Sequence, residues 1–247
     1  MTDRTILSLT GADAEEFLQG LVTNDVARAR PDRDGIVYAA LLAPQGKYLS
    51  DFFVIGTNDG LLIDVATSHA PALFQRLSLY RLRAAVEIAE SPLKVSRGTG
   101  PPPDGARADP RHPEMGWRLY GPQDGSDGTD WDALRVAHMV PETGIELTPE
   151  TYILEAGFDR LNGVDFRKGC FVGQEIVARM KHKTELKKGL MAVSIDGAAP
   201  VGTPITADGK PAGTLFTQAG GRALAHLRFD RATGPMRAGE ATLTPLP

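Results

Sequence analysis

The sequence predicts an α+β protein in which antiparallel sheets and helices are followed by a small C-terminal β-barrel. Over residues 1–186, some segments show the two-residue apolar period of strands and others show the helical period. Residues 187–247 contain no helix pattern, only short alternating runs separated by turns such as Asp-Gly and Ala-Gly-Gly. We therefore predict a first domain over 1–186 and a barrel domain over 187–247.

Strand patterns dominate the first part of the chain. A hairpin is predicted where the turn-forming residues Ala-Pro-Gln-Gly separate two apolar runs. A further strand pattern, over residues 115–121, follows the loop that ends at residue 114. The predicted strands are 4–9, 35–42, 47–56, 61–67, 85–90, 93–98 and 115–121.

Helix patterns interrupt these strands. Thr10 or Asp13 is a suitable N-cap for the first helix, and acidic residues crowd its first turn. The predicted helices lie within 11–26, 70–83 and 129–140. Residues 98–114 are rich in Pro, Gly and charge, which predicts a loop or linker that could divide the first domain into two subdomains.

Composition excludes several classes of protein. The net charge of −4 and the pI of about 5.8 argue against a general nucleic-acid binder. The longest apolar runs are of strand length, so no membrane span is expected, and the N-terminus lacks a signal or transit pattern. One cysteine excludes an internal disulfide framework and a four-thiolate cluster, and the five histidines show no zinc-ligand spacing. We predict a cytoplasmic protein without a metal of its own.

The single cysteine, Cys170, is the residue that most suggests chemistry. It lies in the segment KGCFVGQE, where Gly169 and Gly173 permit tight turns and a helix is predicted to start near Gly173 or Gln174. The positive end of that helix, with Lys168 beside the cysteine, favours a reactive thiolate. Glu175 opposes it if it points inward. The alternative is a cysteine that only fills space in the core.

This segment closely resembles the K-G-C-[FY]-x-G-Q-E signature of the YgfZ family of folate-binding proteins, with every fixed position present: Lys168, Gly169, Cys170, Gly173, Gln174 and Glu175. That family is related to the T-protein, the aminomethyltransferase of the glycine cleavage system. Further segments resemble the family, and they are 17–26, 41–54, 79–88 and 140–166. The resemblance implies a T-protein-like (GcvT-like) folate-binding domain ahead of the barrel, with a shortened middle region.

The resemblance also implies a function. It predicts an accessory factor that binds tetrahydrofolate or a derivative and supports maturation or repair of iron–sulfur proteins, with indirect effects on tRNA modification. Its partners are then iron–sulfur assembly proteins or client iron–sulfur enzymes, with a reduced folate and without a membrane or direct nucleic-acid contact. Cys170 is the redox or transfer thiol. Two alternatives stay open: a folate-dependent aminomethyltransferase, and a non-catalytic scaffold with a vestigial folate pocket.

Several polar residues are candidates for the folate site. A carboxylate can read the aminopyrimidine edge of the pterin by accepting two parallel N–H bonds. The L-E-A-G segment resembles the T-protein segment whose glutamate would hold the pterin, which makes Glu155 the first candidate, with Asp159 nearby. Asp51 aligns with a T-protein aspartate near the reactive folate nitrogens, and Asn24 is a weaker candidate. The ordinary interpretations are surface or strand-edge acids and turn chemistry.

A basic run closes the first domain. Residues 179–188 contain five Arg and Lys residues, and they are Arg179, Lys181, Lys183, Lys187 and Lys188. The run is either a solvated helix end or a landing site for a folate polyglutamate tail, a partner protein or RNA.

Overall fold

The structure is a computed structural model that describes residues 3–33, 35–183 and 185–246. Two compact units are present, and each is built from discontinuous parts of the chain. The first contains the described residues up to Thr129 together with Asp159–Ile176, and the second contains Asp130–Phe158 together with the described residues from Val177 onward. The predicted boundary at residue 187 lies inside the second unit and stays a prediction.

A five-stranded antiparallel sheet forms the centre of the first unit. Its strand order is β2-β3-β4-β1-β5. The elements of this part are β1 (Arg4–Thr10), α1 (Ala14–Gln19), β2 (Ile36–Leu42), β3 (Tyr48–Thr57), β4 (Gly60–Ala66), α2 (Ala70–Arg81) and β5 (Glu87–Ser91). The predicted hairpin connects β2 to β3.

The two faces of this sheet differ in chemistry because side chains alternate along each strand. One face is apolar and packs against α1 and α2; Phe52 and Ile63 lie on it, and Leu18 and Leu77 of the helices join the same core. The opposite face carries Tyr38, Asp51, Phe53 and Asp64, all of them buried. The sheet is therefore covered on both sides.

Helix α1 is shorter than its sequence pattern. It ends at Gln19, where Gly20 follows as the C-cap, and Asp25 caps a separate 3₁₀ turn over Val26–Ala29 by accepting a hydrogen bond from the Ala27 amide. A cap of this kind favours a new turn over continuation of the preceding helix.

A second, smaller sheet completes the first unit. It has the order β7-β8-β6-β9, and its only parallel pair is β6 with β9. Its strands are β6 (Lys94–Gly98), β7 (Arg107–Ala108), β8 (Trp117–Gly121) and β9 (Gly125–Ser126), with a 3₁₀ turn at Pro113–Met115. The segment predicted as a linker thus contributes a strand and a turn. Arg118 of β8 donates to the Asp64 carboxylate of β4 at 2.6 Å, which joins the two sheets.

The second unit is built around a closed six-stranded barrel with the order β10-β13-β12-β11-β14-β15. Its elements are α3 (Trp131–His138), the greater part of α4 (Gln174–Lys183), β10 (Lys188–Asp196), β11 (Pro204–Ala207), β12 (Lys210–Ala219), β13 (Arg222–Arg228), β14 (Met236–Ala238) and β15 (Ala241–Pro245). Buried Arg135 of α3 binds Glu146 and the Thr217 hydroxyl of β12. The predicted fold class, α+β with a terminal barrel, is confirmed.

Among the described residues, no helix has both the length and the apolarity that a membrane crossing needs.

Candidate functional site

Cys170 is exposed, at a turn whose neighbours are anchored. Gly169 beside it is exposed as well, whereas Lys168 and Phe171 on either side are buried. The Lys168 ammonium lies 5.4 Å from the centroid of the Phe171 ring, a distance compatible with a cation–π interaction. Gly169 and Cys170 are thus exposed between two buried residues. The interpretation of Cys170 as a residue that only fills space in the core is wrong.

Lys168 binds the end of α1. Its ammonium donates at 2.6 Å to the backbone carbonyl of Gln19, the last residue of α1, and at 2.5 Å to the carbonyl of Val22 in the segment that follows. Burial lowers the pKa of Lys168 to about 8. Lys168 therefore connects the cysteine turn to the C-terminal end of α1 and to the segment after it.

The Thr-Asn-Asp segment holds the approach to this turn. The Thr23 hydroxyl donates to the Gly163 carbonyl at 2.7 Å, and the Thr23 carbonyl accepts from the Asp165 amide at 3.0 Å. Asn24, only 3% exposed, donates to the Asn162 and Tyr38 carbonyls, both at 2.7 Å. Asn24 also lines a cavity of about 360 Å³ together with Arg28 and Tyr38.

Glycines allow the turn to pack on the β2–β3 hairpin. Gly173 has φ +83°, and a Cβ at this position would lie 2.7 Å from the Ala43 carbonyl oxygen. Gly46 has φ +73°, and a Cβ there would lie 2.7 Å from the Ile176 Cβ. The second glycine of the signature therefore serves a close contact with the hairpin that carries Asp51.

The remaining signature residues open α4, which begins at Gln174 as predicted. Glu175 is exposed in its first turn, where a carboxylate is stabilised by the helix dipole. Arg179 lies exposed further along the helix, and the last turn is basic. The roles assigned to these residues stay predictions.

Asp51 lies on the charged face of the first sheet and is 6% exposed. Its Oδ2 accepts from the Tyr38 hydroxyl at 2.9 Å and its Oδ1 from the Tyr48 hydroxyl at 2.7 Å. Burial, followed by the Asp51 charge, raises the pKa of Tyr38 well above 10. Both carboxylate oxygens therefore have phenolic donors from the protein.

Glu155 belongs to the second unit, where its carboxylate faces the barrel. His226 Nε2 lies 3.3 Å and Lys188 Nζ 3.5 Å from its Oε2. Burial acts to raise the pKa of Glu155, but the hydrogen bond from His226 and the Lys188 charge lower it below its usual value. Asp159 is exposed in the first unit, and its Oδ1 accepts from the Arg160 amide at 3.0 Å.

The folate prediction can be tested against these contacts. Reading an aminopyrimidine edge requires a carboxylate with two accessible acceptor oxygens. Asp51 is buried under two hydroxyls, and Glu155 contacts two basic side chains of its own unit. Both oxygens of Asp51 are therefore already bound by the protein, and this carboxylate as it is arranged does not fit a pterin edge. The contacts of Glu155 involve its Oε2, and its folate role stays a prediction.

The sequence interpretation missed several buried ionic residues. Asp109 and Arg111, from the predicted linker, are buried and joined by two side-chain hydrogen bonds of 3.0 and 2.8 Å. Arg118 is 2% exposed and binds Asp64. The only signal for Arg118 was its place in a strand pattern, and nothing in the sequence indicated its partner.

The chain is similar to curated proteins over most of its length. It is 32% identical to the human iron–sulfur cluster assembly factor IBA57, mitochondrial, over 94% of this chain and 78% of that protein. Identity to the mouse protein of the same name is 29%, with the same coverage. The Neurospora crassa homologue is 32% identical, and the match covers 85% of this chain and 56% of that protein. Residues 187–247 match the CAF17 C-terminal β-barrel domain.

A solved structure supports the fold. The glycine cleavage system aminomethyltransferase T from Bartonella henselae has a TM-score of 0.78, covers 100% of this chain and 83% of its own, and is 14% identical. This confirms the T-protein-like fold that the signature implied.

The comparisons overturn one prediction. A cytoplasmic location is wrong, because the IBA57 relatives are mitochondrial by name. A lone thiol and the lack of a disulfide framework indicate reducing surroundings, but they do not distinguish one reducing compartment from another.

The signature, the fold and the curated relatives point to the same lineage, although the YgfZ branch itself is not confirmed. With 32% identity to a protein of which it spans 78%, the chain belongs to the family of the iron–sulfur cluster assembly factor IBA57.

Proposed function

We propose that this chain is an iron–sulfur cluster assembly factor and that Cys170 is the residue through which it meets its partner. The observation that carries the proposal is the exposed thiol on a turn anchored by buried Lys168 and Phe171. The names of the relatives supply the process. A cysteine that served core packing would be buried, whereas this turn is anchored so that the Cys170 thiol is exposed to solvent.

The chemistry is that of a thiolate ligand. Cys170 loses its proton to solvent, and the sulfur donates an electron pair to an iron of a cluster that a partner holds. Iron–sulfur clusters are normally held by four thiolates, and the described residues contain no group of three His, Cys, Asp or Glu placed to hold a metal. The partner therefore supplies the other ligands, and Cys170 joins them at the contact.

The wider predictions follow from this role. Partners are iron–sulfur assembly proteins or the enzymes that receive clusters. Any effect on tRNA modification is then downstream, through tRNA-modifying enzymes that carry iron–sulfur clusters.

Complementation tests the proposal. A strain depleted of its own IBA57-family protein receives the wild-type chain, Cys170→Ser, or the control Gly169→Ala, and the activity of an iron–sulfur enzyme is measured. Gly169 is exposed with nothing within 4 Å of an added Cβ, so its replacement tests the turn without removing sulfur. We expect Gly169→Ala to restore the activity and Cys170→Ser to fail, with both variants unfolding at the wild-type temperature. Restoration to the wild-type level by Cys170→Ser would refute the role of the thiol.

A further inference from the structure

The charged face of the first sheet is covered by a layer of guanidinium groups. Around the Phe53 ring lie the Cζ atoms of Arg118 at 4.0 Å, Arg111 at 4.8 Å and Arg4 at 5.7 Å from its centroid. Arg111 also lies 5.6 Å from the Tyr38 centroid. At these distances the guanidiniums are within cation–π range of the rings.

Every one of these guanidiniums has a carboxylate partner. Arg4 and Arg118 both bind Asp64 at 2.6 Å, and Arg111 binds Asp109 at 2.8 Å. The Tyr120 hydroxyl also donates to Asp64 at 2.9 Å. A ligand that displaces one of these guanidiniums must break a buried ion pair, and a buried charge that loses its partner is strongly destabilising.

Asp51 lies on the same face. Cross-strand pairing places Ala40 opposite Asp51 and Tyr38 opposite Phe53, so the carboxylate and the guanidinium layer share one surface of the sheet. The Tyr38 and Tyr48 hydroxyls, which donate to the two oxygens of Asp51, cover this carboxylate near the start of β3.

We infer that the part of this face around Asp51, Phe53 and Asp64 is a closed structural layer and that a reduced folate does not bind beside Asp51, although the fold resembles that of a folate-dependent aminomethyltransferase. The Asp51 carboxylate serves to fix the Tyr38 and Tyr48 hydroxyls inside the layer. The alternative function of a folate-dependent aminomethyltransferase needs a folate beside Asp51, so the inference also argues against that alternative. This inference is independent of the role proposed for Cys170.

The test uses 5-formyltetrahydrofolate, a stable reduced folate, with the full-length chain. Thermal unfolding and titration calorimetry are measured for the wild type, for Asp51→Asn and for Asp59→Asn. The last variant makes the same substitution in the exposed turn after β3. A ligand of micromolar Kd at about a 100-fold excess over Kd would raise the Tm by about 5–10 °C.

We expect no saturable heat and no shift in Tm for the wild type. Saturable binding that Asp51→Asn abolishes and Asp59→Asn retains would overturn the inference. Binding whose Kd is the same in the wild type and in Asp51→Asn would support the inference for the Asp51 site, because the ligand would then make no contact with this carboxylate.

If Asp51→Asn fails to fold, Tyr48→Phe replaces it, because it frees one oxygen of Asp51 from its phenolic donor. A folate site on this face would then bind the ligand more tightly than in the wild type. A closed layer leaves Tyr48→Phe without saturable binding.

Discussion

Lys168 shows how a residue in a reactive-looking signature can have a structural task. Its charge was expected beside the thiol, but the ammonium is bound to the carbonyls of Gln19, where α1 ends, and of Val22, just after it. The sequence contains the lysine and the helix pattern, yet the two are separated by 146 residues between Val22 and Lys168. Single-sequence reasoning cannot predict a contact at that separation, because it depends on how both segments fold against the sheet.

Replacing Lys168 with Met is expected to destabilise the first unit by about 1–3 kcal/mol, because it leaves buried carbonyls without a donor. Chemical denaturation measures this loss. The matched control is Lys183→Met, which removes an exposed lysine from α4. Equal stability of the two variants would show that the Lys168 contacts contribute nothing.

The same lysine predicts a pH dependence. Because its pKa falls from 10.5 to about 8 in the folded chain, the unfolded chain holds more protons between these values. Stability contributed by this group therefore rises as the pH increases from about 8 to about 10.5. The rise is expected in the wild type and not in Lys168→Met when unfolding is measured across this range. A parallel pH profile for the two proteins would contradict it.

At the scale of elements, the cysteine turn and the β2–β3 hairpin fit together through their glycines. The sequence predicted both turns and the start of α4. It did not predict that Gly173 and the hairpin carbonyl of Ala43 approach so closely, since glycine in a turn is equally explained by its positive φ. The contact distance is what distinguishes the two explanations.

Gly173→Ala and Gly128→Ala separate these explanations. Both glycines have similar φ values, +83° and +86°, but an added Cβ meets Ala43 at 2.7 Å in the first case and nothing within 4 Å in the second. We expect Gly128→Ala to cost about 1–2 kcal/mol for the left-handed backbone. Gly173→Ala is expected to cost about 1–3 kcal/mol more, because backbone atoms must move. Equal losses in denaturant unfolding would show that the hairpin contact is unimportant.

At the scale of the whole molecule, the α+β class and the terminal barrel were predictable from apolar periodicity and turn residues. The discontinuous units were not, because periodicity does not show that α3 joins the barrel through Arg135 and Thr217. The ionic layer was also hidden. Asp109 and Arg111 lie in a Pro-rich segment of the kind that is usually exposed, and their burial depends on aromatic rings far away in the sequence.

Asp64 is expected to make the first unit sensitive to acid. Burial acts to raise the pKa of its carboxyl, but Arg118 and Arg4 lower it well below the ordinary value of 3.8. A depressed pKa means that the stabilisation is present above about pH 4 and is lost as the pH falls further. The difference in unfolding free energy between the wild type and Asp64→Asn should therefore be constant near neutrality and shrink below about pH 4. Asp104→Asn, which alters an exposed acid, is the control and should show no such change.

The exposed turn at Cys170 has a consequence for handling the protein. Since the chain contains one cysteine and that cysteine reaches solvent, a maleimide dye labels a single known position. Under air, the one disulfide that the chain can form with itself joins two copies, and a reducing agent returns them to monomers. A covalent dimer on a non-reducing gel, missing in Cys170→Ser, reports directly that the sulfur is accessible.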